Sequence, residues 1–340
     1  MPGLSLAAVR EARQALAGLA ADTPLLPSPY LSELAGVEVL LKLETVQPTG
    51  AFKLRGAVNA MRHLPADTAG VTCCSTGNHG RAVAYAARAR GLRAVICMSS
   101  LVPEVRRQGI RALGAELHIV GDSQDEAQVE SRRLAAQEGL VEIPPFDDPL
   151  VIAGQGTIAL ELLETRPDLA GIVVPLSGGG LAAGIAFAAR QIRPGLLVTG
   201  VSMDRGAAMH ASIRAGKPVA VSEVESLADS LGGGIGLDNR LTFALCRDGL
   251  DATLLVSEPE IYRAMQAAYY EDGLVCEGAA AVGIAALMAG RLPVSGGPIA
   301  MIVSGRNLDM RLHAAVMQGR DVALGSQTVA GQLYDGRRPL

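Results

Sequence analysis

Residues 71–98 read VTCCSTGNHGRAVAYAARARGLRAVICM. An apolar, β-branched run, Val71-Thr72-Cys73-Cys74, gives way to a turn of small polar residues and glycine. An alanine-rich helical pattern over Arg81–Arg90 follows, and then a second apolar run, Ala94–Met98. Strand, helix and strand at this spacing predict a βαβ unit with parallel strands. Within the first strand, Cys73 and Cys74 should face opposite sides of the sheet. The alternation continues outward: a helix near Glu104–Leu113, a strand over Glu116–Val120, a helix over Asp125–Gln137 and a strand over Val141–Ile143.

A second series begins after Pro144-Pro145. It reads as helix Thr157–Glu164, strand Ile172–Val174, helix Leu181–Arg190, strand Leu197–Val201 and helix Ala207–Ala215. Strand Thr253–Val256, helix Pro259–Tyr270, helix Ala279–Ala289 and strand Ile299–Val303 complete it. The two series predict an α/β fold of two lobes, each an open, mostly parallel sheet covered by helices, with a small-molecule cleft between them. The units are too dissimilar for a solenoid. The polar, glycine-rich tail beyond about Gly325 is expected to be poorly ordered.

Composition narrows the function. A chain of 340 residues with 49% apolar and 19% charged residues is globular, and a net charge of −4 without long single-sign runs favours neither nucleic acid nor an acidic membrane as partner. Basic residues are mostly arginine; Lys42, Lys53 and Lys217 are the only lysines. The five cysteines (Cys73, Cys74, Cys97, Cys246, Cys276) show no C-x-x-C spacing and read as reduced, buried thiols of a cytoplasmic protein. Arg10, Glu11 and Arg13 make the N-terminal pattern an amphipathic helix and not a signal peptide. The uncharged stretch Leu169–Ala189 has the length of a membrane span, but Pro175 and Gly178-Gly179-Gly180 divide it into strand, turn and helix.

Four segments carry candidate chemistry. In Pro48-Thr49-Gly50-Ala51-Phe52-Lys53-Leu54-Arg55-Gly56, Lys53 is either a solvated charge at a helix start or a desolvated amine freed for Schiff-base chemistry. Ser75-Thr76-Gly77-Asn78-His79-Gly80 offers hydroxyls, an amide and backbone N–H groups to a carboxylate or ring oxygen, or is simply a capping turn. His79 has no second histidine or acid at metal-ligand spacing. Ser177-Gly178-Gly179-Gly180-Leu181 suits a single phosphate at a helix N-terminus. It lacks the Lys-Ser/Thr of a triphosphate loop and the G-x-G-x-x-G of a dinucleotide fold, and a ligand-free tight turn is the alternative. Ser304-Gly305-Arg306-Asn307 follows the last strand and presents either a cap or a hydroxyl.

Together and in this order, the four segments resemble the serine/threonine dehydratases of the fold-type-II pyridoxal-phosphate family, relatives of tryptophan synthase β, from about Thr23 to about Met317. The resemblance implies pyridoxal 5'-phosphate as cofactor, held by Lys53 as a Schiff base with Phe52 beside its ring. Asn78 then meets the 3'-oxygen, Ser177, Gly178, Gly179, Gly180 and Leu181 hold the phosphate, and Ser304 faces the pyridine nitrogen. Ser75, Thr76, Gly77 and His79 line the substrate-carboxylate pocket. It further implies a large domain of residues 1–47 and 155–340, a small domain of residues 48–154, and a homodimer. The implied reaction is β-elimination from a β-hydroxy amino acid to a 2-oxo acid and ammonia.

Departures from the family pattern are Ala51 for a usual Ser, Ser177 for a usual Gly, and Arg306 for a small residue. Ser202 stands in place of a cation-binding Glu, so no metal site is expected, and no regulatory domain is expected after Met317. Thr76 stands where racemases of the family carry Ser. Segments Pro144–Leu163, Ser202–Ser212 and Ala228–Asn239 look most like hydroxyectoine-utilisation dehydratases, which implies a hydroxylated diamino acid derivative as substrate. Competing readings are a β-replacement synthase, disfavoured because such enzymes carry Val-Lys-Asp-Arg where this chain has Phe52-Lys53-Leu54-Arg55, a racemase, and a catalytically silent amino-acid- or anion-binding module.

Overall fold

The computed structural model describes residues 3–75, 77–102, 104–293 and 296–336. The chain opens with α1 (Leu6–Leu16), β1 (Leu25–Pro27), α2 (Pro29–Ala35) and β2 (Val39–Leu43). Helix α3 (Lys53–Arg62) leads into β3 (Gly70–Cys74), α4 (Asn78–Ala89), β4 (Arg93–Met98), α5 (Glu104–Arg111), β5 (Glu116–Ile119), α6 (Gln124–Glu138) and β6 (Val141–Glu142). Next come α7 (Pro149–Thr165), β7 (Gly171–Pro175), α8 (Gly180–Ile192), β8 (Leu197–Met203), α9 (Ala208–Ala215), α10 (Thr242–Gly249) and β9 (Ala252–Val256). Helices α11 (Glu258–Tyr270) and α12 (Gly278–Met288), strand β10 (Ile299–Val303), helix α13 (Met310–Met317) and the hairpin β11 (Val322–Leu324) and β12 (Gln327–Val329) finish the chain.

Residues 71–75 and 77–98 supply the expected strand, helix and strand. Strands β3 and β4 pair in parallel, Val71 opposite Ala94 and Cys73 opposite Ile96. Cys73 joins a core with Val83 and Ile96, whereas Cys74 joins the opposite one with Val95, Cys97 and Leu134, as the two-residue period of a strand requires. The four-stranded sheet runs β5-β4-β3-β6, entirely parallel. The six-stranded sheet runs β1-β2-β10-β7-β8-β9, and only the β1–β2 pair is antiparallel. Two mostly parallel sheets covered by helices make the α/β architecture expected from the sequence. Leu169–Ala189 divides into β7, the glycine turn and α8, and among the described residues no helix is long and apolar enough to cross a membrane.

Two expectations need correction. The helix expected over Thr157–Glu164 begins at Pro149, because the Asp148 carboxylate caps the N–H groups of Leu150 and Val151 and Pro149 occupies the first turn. Every residue of α7 from Val151 to Leu163 is buried. Glycines let it sit this deep: a Cβ at Gly154 would come 2.6 Å from the Arg55 carbonyl of α3, and one at Gly184 of α8 would come 2.5 Å from the Ile152 carbonyl. The tail is also ordered through residue 336. Its hairpin pairs Val322 with Val329, Tyr334 stacks on Tyr270 at 5.0 Å, and Gln266 and Arg263 bind the carbonyls of Gln332 and Leu333. Polar backbone at a chain end was a poor guide here because buried side chains of α11 supply its partners.

Candidate active site

Lys53 opens α3, and the turn before it is held by the loop after β10. Ala51 bridges Gly305, the Phe52 N–H donates to the Ser304 carbonyl at 3.0 Å, and the Arg306 N–H donates to the Gly50 carbonyl at 2.9 Å. Gly50 sits at φ +76°, and a Cβ there would come 2.7 Å from Asn307 Oδ1, so the turn requires glycine. Two segments from opposite ends of the sequence thus become one.

The Lys53 amine donates to the Pro145 carbonyl at 2.7 Å and stands 5.4 Å from the centre of the Phe52 ring. It forms no ion pair among the described residues, and removal from water pushes it down to about 8. The next residue, Phe146, lies against the glycine loop: a Cβ at Gly178 would overlap its ring, and one at Gly180 would come 2.9 Å from its Cβ. Asp147 ties the same segment to the start of α10 by accepting from the N–H groups of Arg240, Leu241 and Thr242 at 2.7–2.9 Å. Segment 145–147 therefore connects the amine to the glycine loop, a link the sequence reading did not assign.

Gly179 adopts φ +91°, and a Cβ there would meet Met209 at 2.6 Å and Cys246 at 3.0 Å. The N–H groups of Gly178, Gly179, Gly180 and Leu181 meet no acceptor among the described residues, and no side chain caps α8. A 13-residue helix thus begins with free donors and the positive end of its dipole in the loop.

Ser304 is buried at the end of β10, and its hydroxyl has no partner among the described residues. Asn78 begins α4, three residues earlier than the sequence suggested; it donates to Glu277 Oε1 at 2.9 Å and accepts from Asn307 Nδ2 at 2.7 Å. Ser75 Oγ accepts from the N–H groups of Gly77 and Gly80 at 3.3 and 2.9 Å, so it caps the turn with its own proton left to donate. Gly77 faces open space. His79 is buried and donates through Nε2 to the Ile143 carbonyl at 2.8 Å; burial and then the Lys53 charge push it down to about 3, so the ring is neutral. Thr76 lies outside the described residues.

Glu277 is the residue the sequence reading missed. It precedes α12, whose residues are all apolar or glycine, and the only signal was a lone acid ahead of an alanine-rich run. Burial, then the charge of Asp229, push it up to about 7.

Residues 16–305 match the family model described as pyridoxal-phosphate dependent enzyme. The chain is 54% identical over 321 residues to a Sinorhizobium fredii protein named "putative threonine dehydratase", covering 94% of this chain and 97% of that one. It is 38% identical over 311 residues to the L-threonine ammonia-lyase of Thermotoga maritima, covering 91% and 77%. The structure of maize serine racemase matches with a TM-score of 0.87 at 31% identity, covering 91% of this chain and 95% of that one. The residues present fit the cofactor this family takes, since the acceptor-free glycine loop suits its phosphate and the Lys53 amine suits its aldehyde. An amine without a carboxylate partner, set across segment 145–147 from N–H groups with nothing to bind, is what a phosphorylated aldehyde requires; with the match over residues 16–305, it follows that this chain belongs to the pyridoxal-phosphate dependent enzymes, as a lyase of the threonine dehydratase-like kind.

Proposed function

We propose that the chain removes water and then ammonia from a β-hydroxy amino acid, leaving a 2-oxo acid. The observation that carries this reading is the Lys53 amine, depressed to about 8 by burial and joined through Pro145 and Phe146 to the glycine loop. Pyridoxal 5'-phosphate, when bound, supplies the electron sink for the α-carbanion. Lys53 would hold it, with Phe52 beside it, and the Lys53 amine, when free, would be placed to take the substrate's α-proton as general base; burial already lowers that amine's hold on its own proton. Ser177, Gly178, Gly179, Gly180 and Leu181 hold the phosphate. Asn78 orients the ring through its amide, and the neutral Ser304 hydroxyl meets the pyridine nitrogen without enforcing its protonation. Ser75, Thr76, Gly77 and His79 hold the substrate carboxylate.

The substrate is L-threonine, L-serine or a hydroxyectoine-derived analogue. The first is supported by the relatives named for threonine, the last by the segments around Pro144, Ser202 and Ala228. Racemisation is the second reading, favoured by the likeness to a serine racemase. Elimination is preferred because Thr76 carries a methyl that restricts χ1 where a second-face proton donor would have to reach. Incubation with L-serine, L-threonine and hydroxylated diamino acids is expected to yield oxo acid and ammonia with little D-isomer. D-amino acid forming faster than ammonia would replace the dehydratase reading with the racemase one.

The same proposal includes a large domain of residues 1–47 and 155–340 and a small domain of residues 48–154, which makes α7 an element shared between them. It also includes a cytoplasmic homodimer; five buried cysteines, with no disulfide among the described residues, support a reducing compartment. No metal is required, because Ser202, buried with an unpartnered hydroxyl, lacks the carboxylate a hard cation prefers. A chelator is expected to leave turnover unchanged, measured as oxo-acid release. Loss restored by magnesium or calcium would refute this.

A further inference from the structure

Glu277 stands at the N-terminal boundary of α12 but caps nothing there; its side chain is buried and turned toward the loops around Asn78. Its Oε1 accepts from Asn78 Nδ2 at 2.9 Å and from Ser230 Oγ at 3.0 Å, and its Oε2 accepts from the Asn307 N–H at 3.1 Å. Gly305 makes room for it, since a Cβ there would lie 3.0 Å from the carboxylate. All these partners are donors, which suits an ionised carboxylate.

We propose that Glu277 is a positioning residue for the reaction, fixing which way the Asn78 amide faces. Hydrogen-bond polarity is set outward from Arg81, which can only donate. Arg81 on α4 donates to Asn307 Oδ1 at 3.1 Å, which leaves Asn307 Nδ2 to donate to the Thr49 carbonyl at 2.8 Å and to Asn78 Oδ1 at 2.7 Å. Asn78 therefore presents its Nδ2 to Glu277, and that amide has a second hydrogen left over. Flipping Asn78 would set carbonyl against carboxylate and NH2 against NH2. Asn307 opposes the flip at one end of the amide and Glu277 at the other; a protonated Glu277 can donate and no longer opposes it, so the hold on Asn78 weakens to the Asn307 contact alone.

The lock also spans the lobes. Arg106 of α5 forms an ion pair with Asp229 in the 3-10 turn Asp229–Leu231 of the other lobe, and Ser230 reaches both Asp229, at 3.3 Å, and Glu277. The charged groups around the carboxylate are thus Asp229, Arg106 through Asp229, and Arg81 through Asn307. Neighbouring Cys276 stays a neutral thiol, pushed up to about 12 by burial. Burial and Asp229 together bring Glu277 to about 7, so the hold on Asn78 tightens as pH rises through that value and loosens below it.

This inference rests on the proposed placement of Asn78 at the cofactor ring, and the test separates the two. In the holoenzyme, Glu277→Gln is expected to lower kcat about 10-fold or more with KM little changed. It should also abolish the acid limb of the kcat–pH profile and the pH response of the bound cofactor's absorbance between about pH 6 and 8. Retention of both, or kcat and KM changing together, overturns the role of Glu277. If Glu277→Gln does not fold, Asp229→Asn replaces it: losing the repelling charge should move the acid limb and the spectral transition to lower pH, and unmoved curves overturn the proposal. Asn78→Ala tests the underlying reading. An unchanged cofactor spectrum in that variant means that Asn78 does not meet the ring; a changed one, with Glu277→Gln unaffected, removes only the inference about Glu277.

Discussion

Alanine at position 53 is expected to abolish turnover, lowering kcat by about 1,000-fold or more, and to remove the yellow absorbance of bound cofactor. Neither other lysine is free to substitute. Lys42 is 2% exposed, bound to Glu161 at 2.5 Å and to the Thr23 carbonyl at 2.6 Å. Lys217 is exposed on the loop after α9. The variant should still fold, because Lys53 contributes one side-chain hydrogen bond, to Pro145, and no ion pair. Oxo-acid release and the visible spectrum of the purified protein check the result; wild-type turnover would refute the central reading.

Arg55→Met is expected to destabilise the protein by about 3–5 kcal/mol, lowering the melting temperature by roughly 10 °C. Arg55 is 1% exposed and donates to Glu44 through Nε at 2.8 Å and Nη2 at 2.7 Å, and also to Glu161. Lys42 and Thr23 complete the cluster, which joins α3, α7 and β2 immediately behind the Lys53 turn. Without the guanidinium, two buried carboxylates share one lysine. Burial is the largest influence and pushes Glu44 up, but the charge and hydrogen bonds of Arg55, with Thr23 and Lys42, together outweigh it and hold the carboxyl below its ordinary 4.5. That contribution is therefore present above about pH 4.5 and is lost as pH falls through the lower folded value. The wild type should lose part of its stability in acid, and Arg55→Met should lose less. Thermal melts of both proteins at neutral and acid pH check this, and a melting shift below about 2 °C would show that the cluster is not a stabilising element.

Most of the fold was legible in the sequence because its signals are local. Short continuous apolar runs marked β3, β4, β7 and β10, and a glycine turn marked where α8 begins. Helix α7 was underestimated because its glycines weaken a helical pattern read in isolation, whereas in the structure those glycines admit α3 and α8. Strand β2 and helices α2 and α10 were not anticipated; Lys42 interrupts the apolar run of β2, and its burial depends on Glu161, far along the chain.

At the proposed site, Lys53, Asn78, Ser304 and the loop at residues 177–181 could be named as candidates in advance because their four segments, taken together and in order, resemble one family. Their environment could not. Whether Lys53 is a surface charge or a depressed amine depends on the Pro145 carbonyl and on exclusion from water. Glu277 acquires its partners from Asn78, Ser230 and Asn307, which lie far from it along the chain. By itself the sequence determined a two-series α/β chain with an amine, a glycine loop and a hydroxyl in family order. Only the tertiary structure decided the charge states and hydrogen-bond polarity around them, because desolvation and long-range pairing depend on what packs against a residue and not on its neighbours in the chain.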